Sequence, residues 1–204
     1  MYTGGPMYRA VLFDFDGTLT KPGAIDFAAL RRLLGCPPKV AILEFIDSLG
    51  SAKAQREAHR LLGGFELAAA RASVPNDGAE LLVRGLARAG IACGILSRNS
   101  LASIREAMKG FRGISLADFP VIVTREDEGR PKPHPDGVHR AATLFGVAPG
   151  EMLVVGDYVF DIEAGKAAGA ATAFLSNGAA VPAMGVTPDF TIAALGELNG
   201  ILGL

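Results

Sequence analysis

Cysteine is scarce in this sequence, which removes one common kind of site. Cys36 and Cys93 are the only cysteines among the 204 residues, they lie far apart, and neither belongs to a cluster with metal-ligand spacing. A metal site built on cysteine is therefore excluded. We expect two free thiols in a cytoplasmic protein, with one disulfide as the alternative.

A strong excess of charge is also missing. The formal net charge is −1 and no long basic run occurs, so we expect neither nucleic acid nor a membrane as partner. No apolar run is long enough to span a bilayer, and no charged N-terminal region precedes an apolar stretch. We expect a soluble chain in which residues 1–6 form a loose leader and Met7 is an alternative start.

Short apolar runs alternate with helical patterns along most of the chain. The runs are continuously apolar, as strands covered on both faces should be; they occupy residues 10–13, 91–96, 120–123, 152–155 and 171–175. Helical patterns cover residues 77–89, 100–109, 136–145 and 160–168. This alternation predicts an α/β fold with a doubly wound parallel sheet and helices on both sides. The pattern of the C-terminal residues 188–204 predicts a last short strand and a closing helix.

One segment interrupts the alternation. Residues 21–73 contain only helical patterns, separated by glycine and proline. We expect a small all-helical cap domain inserted after the first strand. The α/β core domain then comprises residues 7–20 and 74–204.

Two linkers join the expected cap to the core, at residues 20–23 and 74–76, and their proline or glycine residues predict hinges. Just after the second linker, Asp77 and Glu80 have the spacing of a capping box. We therefore expect Asp77 to be the N-cap of the next helix.

The first apolar run stops at the pentapeptide "DFDGT", residues 14–18. In an open α/β sheet ligands bind at the carboxyl ends of strands, where Asp14 stands. Side chains alternate along an extended chain, so Asp14 and Asp16 can project to the same side. Two such carboxylates repel unless one is protonated or a cation is bound. A plain turn or a calcium loop are the alternatives, but no closing glutamate follows.

Further polar residues follow later strands. Ser97 stands in "GILSRNS", Lys132 in "GRPKPHPDG", and Asp157 and Asp161 in "VVGDYVFDIEAGK". With these four motifs in order, the sequence resembles the haloacid dehalogenase superfamily. The resemblance extends from about residue 9 to about residue 189 and includes a helical cap between the first two motifs. Each motif alone is weak, but the ordered set is specific.

The resemblance implies a role for each motif residue. Asp14 would be the nucleophile that forms an aspartyl-phosphate, Asp16 the general acid and base, and Lys132 a catalytic cation that bridges nucleophile and phosphate. Phosphate-binding groups would come from Gly17, Thr18, Ser97, Arg98 and Asn99. A Mg²⁺ cofactor would be bound by Asp14, the Asp16 carbonyl, Asp157 and Asp161.

Within the superfamily, Asp16 favours the phosphatase branch. Dehalogenases lack this acid and need no metal, and a phosphonatase would replace it and use a cap lysine. The implied function is a Mg²⁺-dependent phosphatase, resembling phosphoglycolate phosphatases, that hydrolyses a small phosphate monoester as a monomer or homodimer. Two alternatives stay open: a phosphomutase that uses the same aspartates, and a ligand-binding protein without turnover.

The sequence departs from the superfamily pattern at two positions. Tyr158 follows Asp157 where serine or threonine is common, and Arg98 follows Ser97 where asparagine is common. Tyr158 could form a bulkier wall near the metal. Arg98 could contact phosphate or be a solvated loop residue.

Overall fold

A computed structural model describes residues 8–204, so the expected leader of residues 1–6 and the start at Met7 lie outside the described part. In that part, six parallel strands form one sheet in the order β3-β2-β1-β4-β5-β6. Their bounds are β1 Ala10–Phe13, β2 Ala92–Leu96, β3 Val121–Val123, β4 Met152–Gly156, β5 Ala171–Leu175 and β6 Phe190–Ile192. All five predicted strands and the short last strand are confirmed.

Eight α-helices accompany the sheet within the described residues. They are α1 Phe27–Leu34, α2 Ile42–Asp47, α3 Ala52–Ala72, α4 Ala79–Arg88, α5 Leu101–Met108, α6 Asp136–Phe145, α7 Val159–Ala168 and α8 Leu198–Leu202. The predicted α/β fold is confirmed, and the predicted helices of the core agree to within two residues at each end. None of the helices from residue 8 onwards is both long and apolar enough to cross a membrane.

The sheet separates two apolar layers, and β1 contributes to both. Val11 and Phe13 belong to a cluster with side chains of α4, α5 and α8, while Ala10 and Leu12 pack with α6 and α7 on the other face. All four side chains are fully buried. Alternate residues of a strand point to opposite faces, so a strand buried on both sides must be apolar throughout.

Between β1 and α4 the chain forms only helices, α1 to α3. Leu30, Ile46 and Leu62 anchor a separate apolar cluster among these helices. The C-terminal part of α3 also reaches the core, where Ala70 joins the cluster that contains Phe13. The helical insertion is therefore present, and its treatment as a separate cap domain of residues 21–73 stays a prediction.

The two linkers of the insertion lie side by side. Thr20 and Pro75 form an antiparallel bridge, and Lys21 donates its backbone N–H to the Val74 carbonyl at 2.9 Å. The inserted helices thus leave and rejoin the core at one place. That arrangement is compatible with the hinges predicted there.

The predicted capping box at the start of α4 is wrong. Gly78 is the N-cap, with a φ of 83°, and the Asp77 side chain pairs with Lys21 Nζ at 2.9 Å instead. Glu80 Oε1 accepts hydrogen bonds from the backbone N–H groups of Arg112 at 2.7 Å and Gly113 at 3.1 Å. The left-handed conformation of Gly78 moves the helix start one residue along and turns Asp77 outwards.

Candidate active site

A tight turn follows β1 and presents the two aspartates of "DFDGT". The turn is closed by a hydrogen bond of 3.0 Å from the Thr20 N–H to the Phe15 carbonyl. Asp16 is extended and Gly17 has a φ of 77°. A Cβ atom on Gly17 would collide with the Asp157 carboxylate. Glycine is therefore required here both by the backbone conformation and by the close approach of Asp157.

Lys132 is the centre of the polar network at the strand ends. Its side chain is 4% exposed, and its ammonium donates to Asp14 Oδ1 at 2.6 Å, to Asp161 Oδ1 at 2.5 Å and to the Leu96 carbonyl at 2.7 Å. All three ammonium protons have acceptors. Burial alone would lower the pKa of Lys132, but the two carboxylates outweigh burial and raise it.

Negative charge is in excess around this ammonium. Carboxylate oxygens of Asp14, Asp157 and Asp161 lie within 4.8 Å of one another, so three acids face one cation, a formal charge of −2 when all are ionised (−3 + 1). Burial, reinforced by the Asp14 charge, raises the pKa of Asp157 to about 8. Burial also raises the pKa of Asp161, although Lys132 opposes the shift. Hard oxygen ligands with surplus negative charge suit a divalent cation.

Asp16 lies in a different environment from Asp14. The Asn99 side-chain amide donates a hydrogen bond to Asp16 Oδ2. Burial first, and then the charge of Asp14, raise the pKa of Asp16 to about 6. The charge of Glu66 acts in the same direction. This carboxyl group can therefore hold a proton closer to neutral pH than an ordinary aspartate does.

The loop after β2 carries the next predicted group. Ser97 is 5% exposed, and its hydroxyl oxygen accepts the Asn99 N–H at 3.1 Å. The loop after β4 depends on Gly156, where a Cβ atom would overlap the Asp161 carboxylate. Because β1 lies between β2 and β4, the polar residues that follow the three strands meet at one edge of the sheet.

A cavity of about 660 Å³ opens above this edge. Its floor is polar and its opposite wall comes from the inserted helices. Of the predicted site residues, it is lined by Asp14, Asp16, Gly17, Ser97, Arg98, Asn99, Lys132, Asp157 and Asp161. Thr18 does not line it and is fully buried, and the phosphate contact predicted for Thr18 stays a prediction.

Arg98 is neither solvated nor unpartnered. Its guanidinium donates to Glu44 Oε2 of α2 at 2.6 Å and to the Lys132 carbonyl, and its Cζ lies 5.1 Å from the centre of the Phe160 ring. The side chain is 20% exposed. The alternative of a solvated loop arginine is therefore wrong, and the predicted phosphate contact stays a prediction.

Sequence reasoning missed a second contact between the insertion and the core. Glu66 of α3 is 3% exposed and pairs with Arg125, whose guanidinium also donates to the Arg98 carbonyl at 3.2 Å. Burial raises the pKa of Glu66, while Arg125 opposes that shift. A signal was present, because Glu66 lies four residues after Leu62 on the buried stripe of α3, where an acid needs a partner.

Two asparagines that the sequence did not mark support the turn after β1. Asn177 donates to the Gly17 carbonyl at 2.7 Å, and Asn76 donates to the Thr18 carbonyl at 2.9 Å. The two amides also bond to each other at 2.9 Å. No sequence spacing announces a pair that lies 101 positions apart.

Comparisons with known proteins agree with this geometry. The model of the haloacid dehalogenase-like hydrolase family matches residues 8–169. The Saccharomyces cerevisiae hydrolase YOR131C is 38% identical over 171 residues, covering 83% of this chain and 78% of that protein. The Pseudomonas aeruginosa N-acetylmuramic acid 6-phosphate phosphatase is 29% identical over 189 residues, covering 83% and 82%. The crystal structure of a hydrolase from Pseudomonas syringae has a TM-score of 0.76 at 20% identity, covering 95% of this chain and 97% of that one. This chain is therefore an enzyme that belongs to the haloacid dehalogenase-like hydrolase family.

Proposed function

We propose that the protein is a Mg²⁺-dependent phosphatase that hydrolyses a small-molecule phosphate monoester through an aspartyl-phosphate on Asp14. One observation carries the proposal: the ammonium of Lys132 holds Asp14 and Asp161 together at the floor of the cavity. An anionic nucleophile that attacks an anionic phosphate needs such fixed positive charge.

The first step is attack by Asp14 on phosphorus. Its Oδ1 is held by Lys132 at 2.6 Å, and among the described residues no donor reaches its Oδ2. That oxygen forms the new bond to phosphorus while the bond from phosphorus to the leaving oxygen breaks. Lys132 orients the nucleophile and offsets repulsion between carboxylate and phosphate.

Asp16 supplies the proton for the leaving oxygen. Its pKa of about 6 keeps a useful protonated fraction near neutral pH, as a general acid requires. The Asn99 amide holds its carboxyl group in place. In the second step Asp16 takes a proton from water, which attacks phosphorus, releases phosphate and restores Asp14.

The Mg²⁺ ion would be held by Asp14, Asp157 and Asp161, together with the Asp16 backbone carbonyl. Their carboxylate oxygens are close enough to share one ion, and their negative charge is in excess of what Lys132 neutralises. When bound, the ion supplies positive charge beside the phosphoryl oxygens. Ser97, Asn99 and the Gly17 backbone, which all line the cavity, would contact the phosphate.

The test is phosphate release from a panel of small phosphate monoesters by wild type and Asp14→Asn, with Mg²⁺ and with a chelator. We expect metal-dependent release that Asp14→Asn abolishes. Asp47→Asn, the same change at an exposed position near the end of α2, is the matched control and should keep wild-type activity. Release that survives Asp14→Asn would remove Asp14 as the nucleophile.

The same assay separates the alternatives. A phosphomutase would convert one sugar phosphate isomer into another with little free phosphate. A ligand-binding protein would bind phosphate esters and turn over none. Intact Asp14 and Asp16 in a lysine-bridged site favour hydrolysis over the non-catalytic alternative. The cytoplasmic location and the monomeric or dimeric state stay predictions.

A further inference from the structure

The two departures from the superfamily pattern meet in one stack at the cavity. The Arg98 guanidinium lies 5.1 Å from the centre of the Phe160 ring, and the rings of Phe160 and Tyr158 are 5.0 Å apart at an interplanar angle of 87°. All three residues line the cavity. The Arg98 guanidinium also donates hydrogen bonds to Glu44 and to the Lys132 carbonyl. A pair of rings packed edge to face, under a fixed cation, holds the Tyr158 ring in place.

Tyr158 is nevertheless mostly exposed. It is 58% exposed, and Phe27 of α1, which lines the same cavity, is 53% exposed. These are the two aromatic residues among the large apolar side chains that are exposed in residues 8–204. Val40, 39% exposed, also lines the cavity. Exposed apolar side chains gathered around one cavity are typical of a ligand site.

Further apolar side chains of the inserted segment also line the cavity. They are Ile25, Ile42, Leu43 and Leu62. The cavity of about 660 Å³ lies in the range of drug-sized ligand pockets, about 300–1,000 Å³. It is larger than a phosphate group with a two-carbon acid requires.

Four of the five described cations that line the cavity are bound to acceptors. Lys21 pairs with Asp77 at 2.9 Å, and Arg31 donates to the carbonyls of Pro37 at 2.8 Å and Val40 at 2.6 Å. Arg98 and Lys132 are bound to acceptors as described above. Among the described cations that line the cavity, Lys39 and Arg31 form no ion pair; Lys39 is exposed to solvent, and Arg31 is bound to neutral carbonyls.

We infer that Tyr158, supported by Phe160 and Arg98, forms the leaving-group subsite together with Phe27, and that the preferred substrate is a phosphate monoester whose alcohol carries a flat apolar ring. This inference rests on the proposed phosphatase function and names its substrate class. The phosphate lies on the polar floor, and the ring lies against Tyr158. Small acidic esters such as phosphoglycolate leave the apolar wall uncovered.

The test uses phosphate esters of primary alcohols, so that the basicity of the leaving oxygen is similar throughout. Benzyl phosphate carries a flat ring, cyclohexylmethyl phosphate carries a ring of similar size that is not flat, and ethyl phosphate carries no ring. Phosphoglycolate represents an acidic leaving group, and a hexose 6-phosphate represents a polar one. We expect kcat/KM for benzyl phosphate to exceed that for ethyl phosphate and phosphoglycolate about tenfold, which corresponds to about 1.4 kcal/mol. The kcat/KM for the cyclohexylmethyl ester should lie between the values for the benzyl and ethyl esters.

Variants assign the preference to the ring. Tyr158→Ser places a favoured N-cap residue at the start of α7 and should lower the ratio of benzyl to ethyl kcat/KM about tenfold. Tyr158→Phe should keep the ratio. Phe27→Ala should lower the ratio in the same direction. Leu144→Ala, at a side chain that is 57% exposed on α6 outside the cavity, is the control and should leave the ratio unchanged.

The outcomes separate this inference from the proposed function. Preference for phosphoglycolate or the hexose phosphate, or an unchanged ratio in both Tyr158→Ser and Phe27→Ala, would overturn the subsite while the phosphatase stands. Calorimetric binding of benzyl and ethyl phosphate to Asp14→Asn tests the subsite without turnover. Tighter binding of the benzyl ester supports the subsite even where wild type hydrolyses no ester, and equal binding overturns it.

Discussion

The ammonium of Lys132 lies 2.6 Å from Asp14 Oδ1, and this contact joins two residues 118 positions apart in the chain. Asp161 accepts from the same ammonium at 2.5 Å. A buried cation between two acids fixes Asp14, the proposed nucleophile, before substrate arrives, which would preorganise the site for attack on an anion.

Removing that cation should affect stability and activity together. In Lys132→Met, the buried carboxylates of Asp14 and Asp161 lose their partner, and loss of one member of a buried ion pair costs about 3–5 kcal/mol. We expect a loss of that order in the free energy of unfolding, measured by urea denaturation, and little phosphatase activity. Lys166→Met is the control, because its partner Asp189 is 38% exposed and such pairs contribute about 1 kcal/mol or less. Equal losses in the two variants would contradict the central role of Lys132.

Gly17 should be required for catalysis beyond its backbone conformation. Gly17→Ala places a methyl group against the Asp157 carboxylate, and misplacement of a site group by about 1 Å can cost a hundredfold in rate. Gly169→Ala is a matched control, since Gly169 has a φ of 81° with nothing within 4 Å of its Cβ position. Both variants should lose about 1–2 kcal/mol of stability from the left-handed backbone. Only Gly17→Ala should lose kcat, and a similar kcat in both would argue against the close approach of Asp157.

Two of the ion pairs between the insertion and the core, Glu66–Arg125 and Glu44–Arg98, should differ in strength. The side chains of Glu66 and Arg125 are 2% and 14% exposed, whereas those of Glu44 and Arg98 are 44% and 20% exposed. We expect Glu66→Ala to cost about 3–5 kcal/mol of unfolding free energy, because it leaves a buried guanidinium unpaired. Glu44→Ala should cost about 1 kcal/mol or less. Double-mutant cycles on the two pairs measure the difference, and a stronger coupling for the exposed pair would contradict it.

Acid should weaken the contact between α4 and the loop after α5. Hydrogen bonds from the Gly113 and Arg112 N–H groups hold the pKa of Glu80 below its usual value. A lowered pKa in the folded state gives stability that is present above the unfolded pKa, about 4.3 for glutamate, and is lost as pH falls through the folded value. The stability advantage of wild type over Glu80→Gln should therefore shrink as pH falls below about 4.3. Denaturation of both proteins across the acid range checks this, and an advantage independent of pH would refute the role of ionised Glu80.

Much of this protein follows from local sequence. The apolar runs at residues 10–13 and 152–155 became β1 and β4 because a strand covered on both faces must be apolar throughout. The sequence predicts four motif residues of the site, and all of them line the same cavity: Asp14, Ser97, Lys132 and Asp157. Motifs after successive strands are informative because parallel strands place their carboxyl ends at one edge.

What the sequence by itself determined was the α/β alternation, the helical insertion and the residue types at the strand ends, since these depend on periodicity and spacing. Only the tertiary structure decided which distant side chains meet. Gly78, not Asp77, is the N-cap of α4. Glu66 pairs with Arg125, which lies 59 positions away in the chain. Arg98 stacks on Phe160, whose ring packs against Tyr158. Such contacts depend on the order of the strands and on how the inserted helices pack over the sheet, and no local pattern encodes either.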